Sequence, residues 1–333
     1  MKVTIKDIAK MANVSIATVS KVINNKDERI SLETKNRVLN IIKEQGYIPN
    51  RVASSMVTKK TKTLGLIIPD ITNPFFPELT RGVEDFAKEN GYTLILCNSD
   101  NNLEKEDAYI DMLQEKMVDG IIFTASSKRD KISESLKKIK LPVISVDRDI
   151  KGLKVQGKII VDNESGAYDG VNYMINRGYK KIYHITGPMI SKPSKDRYKG
   201  YIKAYQDNKM NPPKDHLLEK SYTSKWGYEA VMKLLNSNVE FDGIFCGNDL
   251  IALGAIKALH SKKIKIPKEV GVLGFDNIYM SSMIEPELTT VEQPKYKMGY
   301  EAARLLVKLI KKEIVKNNKY ILKTKLIKRK TTR

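Results

Sequence analysis

Three apolar runs in this chain end on side chains able to do polar chemistry. PVISVDR closes on Asp147 and Arg148, EVGVLGFD closes on Asp276, and DGIFCGND is followed through Asn248 into Asp249. Charged planar groups of this kind suit a ligand rich in hydroxyls, and polar residues at the carboxyl ends of parallel strands lie where α/β proteins bind their ligands. A simpler role is capping of the helices that follow. That accounts for Asp249 and for Asp162, and less well for Asp147 beside Arg148. Two carboxylates across a sugar-sized cleft are also what glycoside hydrolysis requires. Here the neighbouring arginines are expected to hold both acids ionised, which removes the general acid and favours binding over catalysis.

Other enzyme chemistry finds little support. His184, His216 and His260 are far apart in sequence, and no serine or cysteine nucleophile pattern accompanies them. Cys97 and Cys246 lack the neighbours that a metal site or disulfide framework needs. No phosphate loop is present, and no GxGxxG follows the first strand. Neither metal nor cofactor is expected.

These residues must be positioned by elements, and the hydrophobic pattern supplies them. With 333 residues the chain should hold two or three folding units. Its 41% hydrophobic and 29% charged content is that of a folded protein, so wholesale disorder is excluded. From Leu64 onward, strand-like runs alternate with amphipathic stretches near 77–90, 104–117 and 130–139. A second such series has helices near 195–208, 224–236 and 249–262. This alternation predicts an α/β fold of parallel sheets in two similar lobes around a cleft.

The first 46 residues differ. Thr4 with Asp7 forms a capping box, Ser15 and Ser31 open two further helices, and Gly46 ends the third. Ile8, Val14, Val19, Val22, Val38, Ile41 and Ile42 fall at helical spacing and predict one small core. Two short helices across a tight turn, braced by a third, make an all-α helix-turn-helix unit. Residues 47–63 are too polar to fold alone, and read either as a linker or as a short helix that orders on a partner.

The net charge of +20 is uneven. Residues 1–60 carry 12 Lys/Arg against 5 Asp/Glu, residues 308–333 carry 11 against 1, and the middle is almost balanced. A basic leading segment fits phosphate binding. For the basic tail, which interleaves no glycine, solubility is the simpler reading. No apolar run approaches the roughly 18 residues of a membrane span and no signal-peptide core opens the chain, so a cytoplasmic location is expected.

Several segments together resemble the LacI/GalR family of bacterial transcription regulators, and in particular ribose-operon-type repressors: VTIKDIAKMANVSIATVSKVIN, YIPNRVASSM, LGLIIPDITNPFFPEL, VDNESGAYDG, CGNDLIALGA, VGVLGFDN and ELTTVEQP, in that order. The resemblance implies a helix-turn-helix headpiece (1–48), a hinge helix (49–62) and a periplasmic-binding-protein-like effector domain (63–333). Lobe one would comprise about 63–160 and 291–322, and lobe two about 161–290 and 323–333.

Ile16, Ala17 and Lys21 lie on the outward face of the second helix, and by family position they read bases. Lysine at 21 makes a less directional contact than the more usual arginine. Thr4, Ser15, Thr18, Ser20, Asn24 and Arg29 are candidates for phosphate contacts, against the plainer role of capping. In the hinge, Asn50, Arg51, Ala53 and Ser54 precede Met56, which takes the place of the leucine that wedges into the central base step.

For the ligand, the resemblance brings in Asn73, Phe75 and Phe76 as a stacking loop, and Asp147, Arg148, Arg197, Asn248, Asp276 and Gln293 as polar positions that hold monosaccharides. Tyr222 would close the other ring face, Trp226 is expected to pack, and Thr124 stands where ribose binders more often carry asparagine. The implied protein is a homodimeric repressor of a carbohydrate-utilisation operon, released from a palindromic operator by a small sugar. A tetramer is not expected, because no leucine-heptad tail follows KTKLIKRKTT. The alternative is a catabolite-control regulator activated by a phosphorylated carrier protein, with which NSDNNLEKE and the helix containing Arg304 are compatible.

Overall fold

The computed structural model describes residues 3–24, 27–48, 60–148, 152, 155–237 and 239–333. The chain divides into two compact units, Met1–Thr61 and Lys62–Arg333.

In the first unit, α1 (Ile5–Met11), α2 (Ile16–Ile23) and α3 (Leu32–Glu44) each start on a side chain that accepts a backbone N–H: Thr4, Ser15 and Ser31. Thr4 and Asp7 form the reciprocal capping box. After α3 the chain turns at Gly46, where φ is +57°, a conformation glycine adopts without steric cost. Ile8, Ala9, Ala12, Val19, Val22 and Val38 are buried together, with Val14, Ile41 and Ile42 packed at the edge.

The second unit is built on two six-stranded sheets with matching order. The first contains β1 (Thr63–Ile68), β2 (Thr93–Asn98), β3 (Gly120–Phe123), β4 (Val143–Val146), β5 (Gly157–Val161) and β11 (Lys319–Leu322). Its spatial order is β11-β5-β4-β3-β1-β2, all parallel. The second contains β6 (Ile182–Thr186), β7 (Leu217–Glu219), β8 (Gly243–Cys246), β9 (Gly271–Asp276), β10 (Thr289–Glu292) and β12 (Lys325–Ile327), in the order β12-β10-β9-β8-β6-β7.

Helices cover both faces of each sheet, which is why the central strands are apolar on both sides. In lobe one, α4 (Phe75–Glu89) and α11 (Lys295–Ile310) enclose one core, while α5 (Leu103–Glu115) and α6 (Glu134–Lys138) enclose the other. In lobe two, α7 (Asn163–Asn176) and α8 (Lys192–Asp207) cover one face, and α9 (Ser224–Asn236) and α10 (Asp249–Ser261) the other. The apolar pattern did not single out α7, because Gly166 and Gly170 interrupt its stripe where it packs closely on Val291 and Leu273.

The chain passes between the sheets three times: from β5 to α7, from β10 to α11, and from β11 to β12. The last passage explains the one antiparallel strand. β12 enters the second sheet from the end toward which its other strands run, so it pairs with β10 in the opposite sense.

This corrects the reading of the basic tail as a solubilising extension. Thr331 and Thr332 are buried, and Thr331 Oγ1 donates to the Val272 carbonyl at 2.7 Å. The Arg329 guanidinium donates to the Leu288 carbonyl and to Asn277 Oδ1, each at 2.8 Å. The lysines of this segment face water while Thr331 and Thr332 bond to Thr289 and Val272 of the neighbouring strands, an alternation that a charge count does not reveal.

Candidate ligand cleft and headpiece surface

In the headpiece unit, Ile16, Ala17 and Lys21 are exposed on α2, while Val19 and Val22 point into the core. Most polar candidates are already engaged. Thr4 is bonded to Asp7, Ser15 Oγ accepts from Thr18 N at 3.1 Å, and Asn24 Nδ2 donates to the Ser20 carbonyl at 2.7 Å. Arg29 is exposed in the loop before α3. Asn50, Arg51, Ala53, Ser54 and Met56 lie outside the described residues, as does the expected hinge helix.

Between the lobes lies a cavity of about 290 Å³, lined by Asn73, Phe75, Phe76, Asp147, Arg148, Pro193, Arg197, Tyr222, Asn248, Asp276 and Gln293. That figure counts all the space between the lining atoms, including space open to solvent. Ten of the eleven expected ligand residues are brought together here. Thr124 is the exception: it is buried just beyond β3 and does not line the cavity. Pro193 was missed, although a proline opening a helix after SK is a readable start signal.

One aromatic corner comes from lobe one. Phe75 and Phe76 begin α4 and meet edge to face with centroids 5.0 Å apart, held by the Asn73 carboxamide, which accepts from Phe75 N at 3.1 Å. The Arg148 guanidinium lies 5.8 Å from the Phe76 ring and 5.7 Å from the Tyr222 ring of lobe two, so this cation bridges the cleft. Tyr222 is itself fixed by a 2.5 Å hydrogen bond to Ser194 Oγ. Trp226 packs as expected, its indole N–H donating to the Thr186 carbonyl at 3.0 Å.

The polar wall is tightly ordered. Arg197 is buried over the Phe275 ring at 3.8 Å, donates to Asn163 Oδ1 at 2.8 Å and to the Gly247 carbonyl, and has Asp276 at 3.9 Å. Gln293 Nε2 donates to the Asp276 carboxylate at 2.6 Å. Two buried polar atoms at this cavity have no hydrogen-bond partner, Arg148 Nε and Gln293 Oε1. A buried unsatisfied group is costly unless something else meets it, and here one can donate and the other accept. Asp147 and Asp276 both have positive φ, 64° and 118°, the sort of backbone strain that concentrates at functional sites.

Three expectations change. Burial, not arginine, dominates both carboxylates: it pushes Asp147 up despite Arg148 and Arg197, and raises Asp276 to about 7 despite the same Arg197. They are therefore not simply held ionised. The cap of α10 is Asn248, which accepts from Ile251 N at 3.0 Å, while the Asp249 carboxylate is buried and accepts from Ser281, Thr290 and Ile278 N. Asp162 does cap its helix, accepting from Ser165 N at 3.0 Å. Finally, His184 and His216 are brought into one stacked aromatic column with Tyr198 and Tyr201, none of which lines the cavity. Burial lowers His184 to about 3.

Among the described residues no cluster of His, Cys, Asp or Glu is placed to hold a metal, and no helix is long and apolar enough to cross a membrane. Arg304 is paired with Glu301 and lies 5.9 Å from the Tyr320 ring.

A helix-turn-helix unit with an exposed second helix, covalently joined to a two-lobed domain whose cleft suits a small polar ligand, defines a ligand-responsive DNA-binding regulator. The chain belongs to the LacI family of bacterial transcriptional regulators. Residues 4–50 match the family described as bacterial regulatory proteins, lacI family, and residues 61–330 match the periplasmic binding proteins and sugar binding domain of LacI family. It is 43% identical to the HTH-type transcriptional regulator RegA of Clostridium saccharobutylicum, over 100% of both chains. It is 39% identical to the ribose operon repressor of Halalkalibacterium halodurans, over 99% of this chain and 97% of that one. Among solved structures it resembles a LacI family transcriptional regulator from Enterococcus faecium with bound ribose. That match has 30% identity and a TM-score of 0.71, over 81% of this chain and 98% of the other.

Proposed function

We propose that this regulator is a homodimeric, cytoplasmic repressor of a carbohydrate-utilisation operon, released from a palindromic operator when a small unphosphorylated sugar closes the cleft. The observation that carries the reading is the cavity between the lobes. Aromatic rings on one side suit the C–H face of a sugar, and Arg148, Arg197, Asn248, Asp276 and Gln293 suit its hydroxyls. Thr124 lies outside the lining, so it gives no ground for choosing among pentoses and small hexoses.

Base reading falls to Ile16, Ala17 and Lys21, with Arg29 and the capping residues near the backbone phosphates. Dimerisation is supported by apolar side chains left exposed in the described chain: Ile71, Leu96 and Leu103 on lobe one, and Tyr279 and Met283 on lobe two. Release of DNA by sugar requires different sugar affinities in the operator-bound and operator-free states.

The test is a melting-point screen of the full chain against D-ribose, D-xylose, D-glucose, D-galactose and D-fructose, followed by operator titrations with any sugar that binds. A ligand of the folded state raises the melting point. A flat response to every sugar would overturn the effector reading and favour a carrier-protein partner. In the same titrations, Met56→Ser is expected to weaken operator binding, and unchanged affinity would remove the wedge.

A further inference from the structure

Lys295 opens α11 and is 2% exposed, the only buried lysine among the described residues. An ammonium has three N–H donors and no acceptor. Three oxygens surround this one: the Asp276 carbonyl at 2.8 Å, the Asn277 carbonyl at 2.9 Å and the Glu78 carboxylate at 3.3 Å. The carbonyls belong to the positive-φ turn that closes β9 in lobe two. Glu78 belongs to α4 in lobe one, with its side chain half exposed.

Each end of this link leads to the cavity. Asp276 lines it directly, with its carboxylate held by Gln293, while Lys295 holds its main chain. On the other side, α4 begins with the lining residues Phe75 and Phe76. Helices α4 and α11 are also locked as a pair, since a Cβ on Gly82 would strike the Tyr296 carbonyl and one on Gly299 the Leu79 carbonyl. Lys295 itself does not line the cavity.

We infer that Lys295 is a latch between the lobes, a positioning residue that makes closure of the cleft over a sugar felt along the α4–α11 pair and so at the operator. The inference rests on the ligand-responsive reading above. When lobe two swings away, the two carbonyls go with it and the ammonium keeps only Glu78 and water. When the lobes close, all three donors are satisfied at once. Both carbonyls come from adjacent residues of one turn and meet the same ammonium, so the contact is made or lost as a unit. Coupling between sites needs an element with two discrete arrangements.

The experiment compares the full-length parent with Lys295→Met, Lys295→Gln and Lys295→Arg. It uses an inverted-repeat duplex selected from random sequence by the parent, and whichever of the five sugars above binds the parent. The readout is the ratio of operator Kd with saturating sugar to that without. Lys295→Met is expected to weaken sugar binding by about tenfold or less and to bring the ratio within about twofold of one. Arginine should keep most of the parent ratio and glutamine part of it, in the order of their donors. A purely structural role would lower the melting point without following that order.

A parent-like ratio in Lys295→Met overturns the latch, and so does complete loss of sugar binding, which would mark a direct binding role. If Lys295→Met does not fold, the arginine and glutamine variants decide: equal ratios overturn the latch, graded ratios support it. Failure of every sugar to bind the parent sinks the functional reading and the latch with it.

Discussion

The two lobes place a carboxylate at the same topological point and surround it differently. Asp147 follows β4 and Asp276 closes β9, and these strands hold equivalent positions in sheets of matching order. In lobe one the guanidinium comes from the next residue, Arg148, whose Nη1 donates to the Ala125 carbonyl at 2.9 Å, whose Nε makes no hydrogen bond and lies 3.4 Å from the Asp147 carboxylate, and whose ring neighbours lie on both sides of the cleft. In lobe two the guanidinium comes from a helix, Arg197, and it is tied to Asn163, Gly247 and Phe275. One arginine has groups to spare for a ligand, while the other is part of the scaffold. Similar folds thus divide the work, lobe one offering an adaptable aromatic and cationic face and lobe two a fixed polar wall.

The largest test of that division is Arg197→Leu against Arg148→Leu. The first strands the Asn163 and Gly247 acceptors and the Asp276 charge. It should cost roughly 3 kcal/mol of stability and abolish sugar binding, read by denaturant melts and calorimetry. The second should cost about 1 kcal/mol and weaken binding by about tenfold. Equal losses would erase the distinction.

Next is pH. Burial raises Asp276 to about 7, so it contributes stability to the empty closed form that is full below the ordinary carboxylate range and lost as pH rises through about 7. A sugar hydroxyl donating to this group prefers the ionised acid. Binding should therefore release a proton and strengthen several-fold between pH 6 and pH 8, while Asp276→Asn should be flat over that range. Calorimetry in buffers of different ionisation enthalpy reads the proton directly.

A smaller effect is expected from Thr331→Val, which keeps the shape but leaves the Thr289 N–H and the Val272 carbonyl short of a partner. It should cost about 1–2 kcal/mol in lobe two and leave operator binding by the folded protein unchanged. Smallest of all, Ser31→Ala and Ser15→Ala should each cost about 1 kcal/mol in the headpiece. If Ser15→Ala loses no more DNA affinity than Ser31→Ala, Ser15 is a cap and nothing more.

The headpiece was legible because its signals are local: Ser or Thr before each helix, an apolar residue every three or four positions, and glycine at the end. The alternating α/β pattern was equally plain. Family motifs, not periodicity, brought in Asn73, Phe75, Phe76, Arg197, Tyr222 and Gln293, which the fold gathers from well-separated elements of both lobes. What stayed hidden depends on burial and on distant partners. Sequence places arginine near both aspartates but does not reveal that desolvation outweighs it. It pairs Asp249 with a helix start, whereas the acid bonds Ser281 and Thr290 across the fold. Lys295 reads as one more lysine in a lysine-rich chain, and only the turn from β9 makes it a buried cation.

The strand that closes the second sheet has a practical corollary. Thr331 Oγ1 donates to the Val272 carbonyl and accepts from Thr289 N, and the Tyr179 hydroxyl accepts from Arg333 N at 3.1 Å. A premature stop codon between Leu322 and Lys325 would remove β12, leave β10 an open flank and strip the row beside it. Such an allele should behave as a null even with its headpiece intact, and an affinity tag for purification belongs at the amino end.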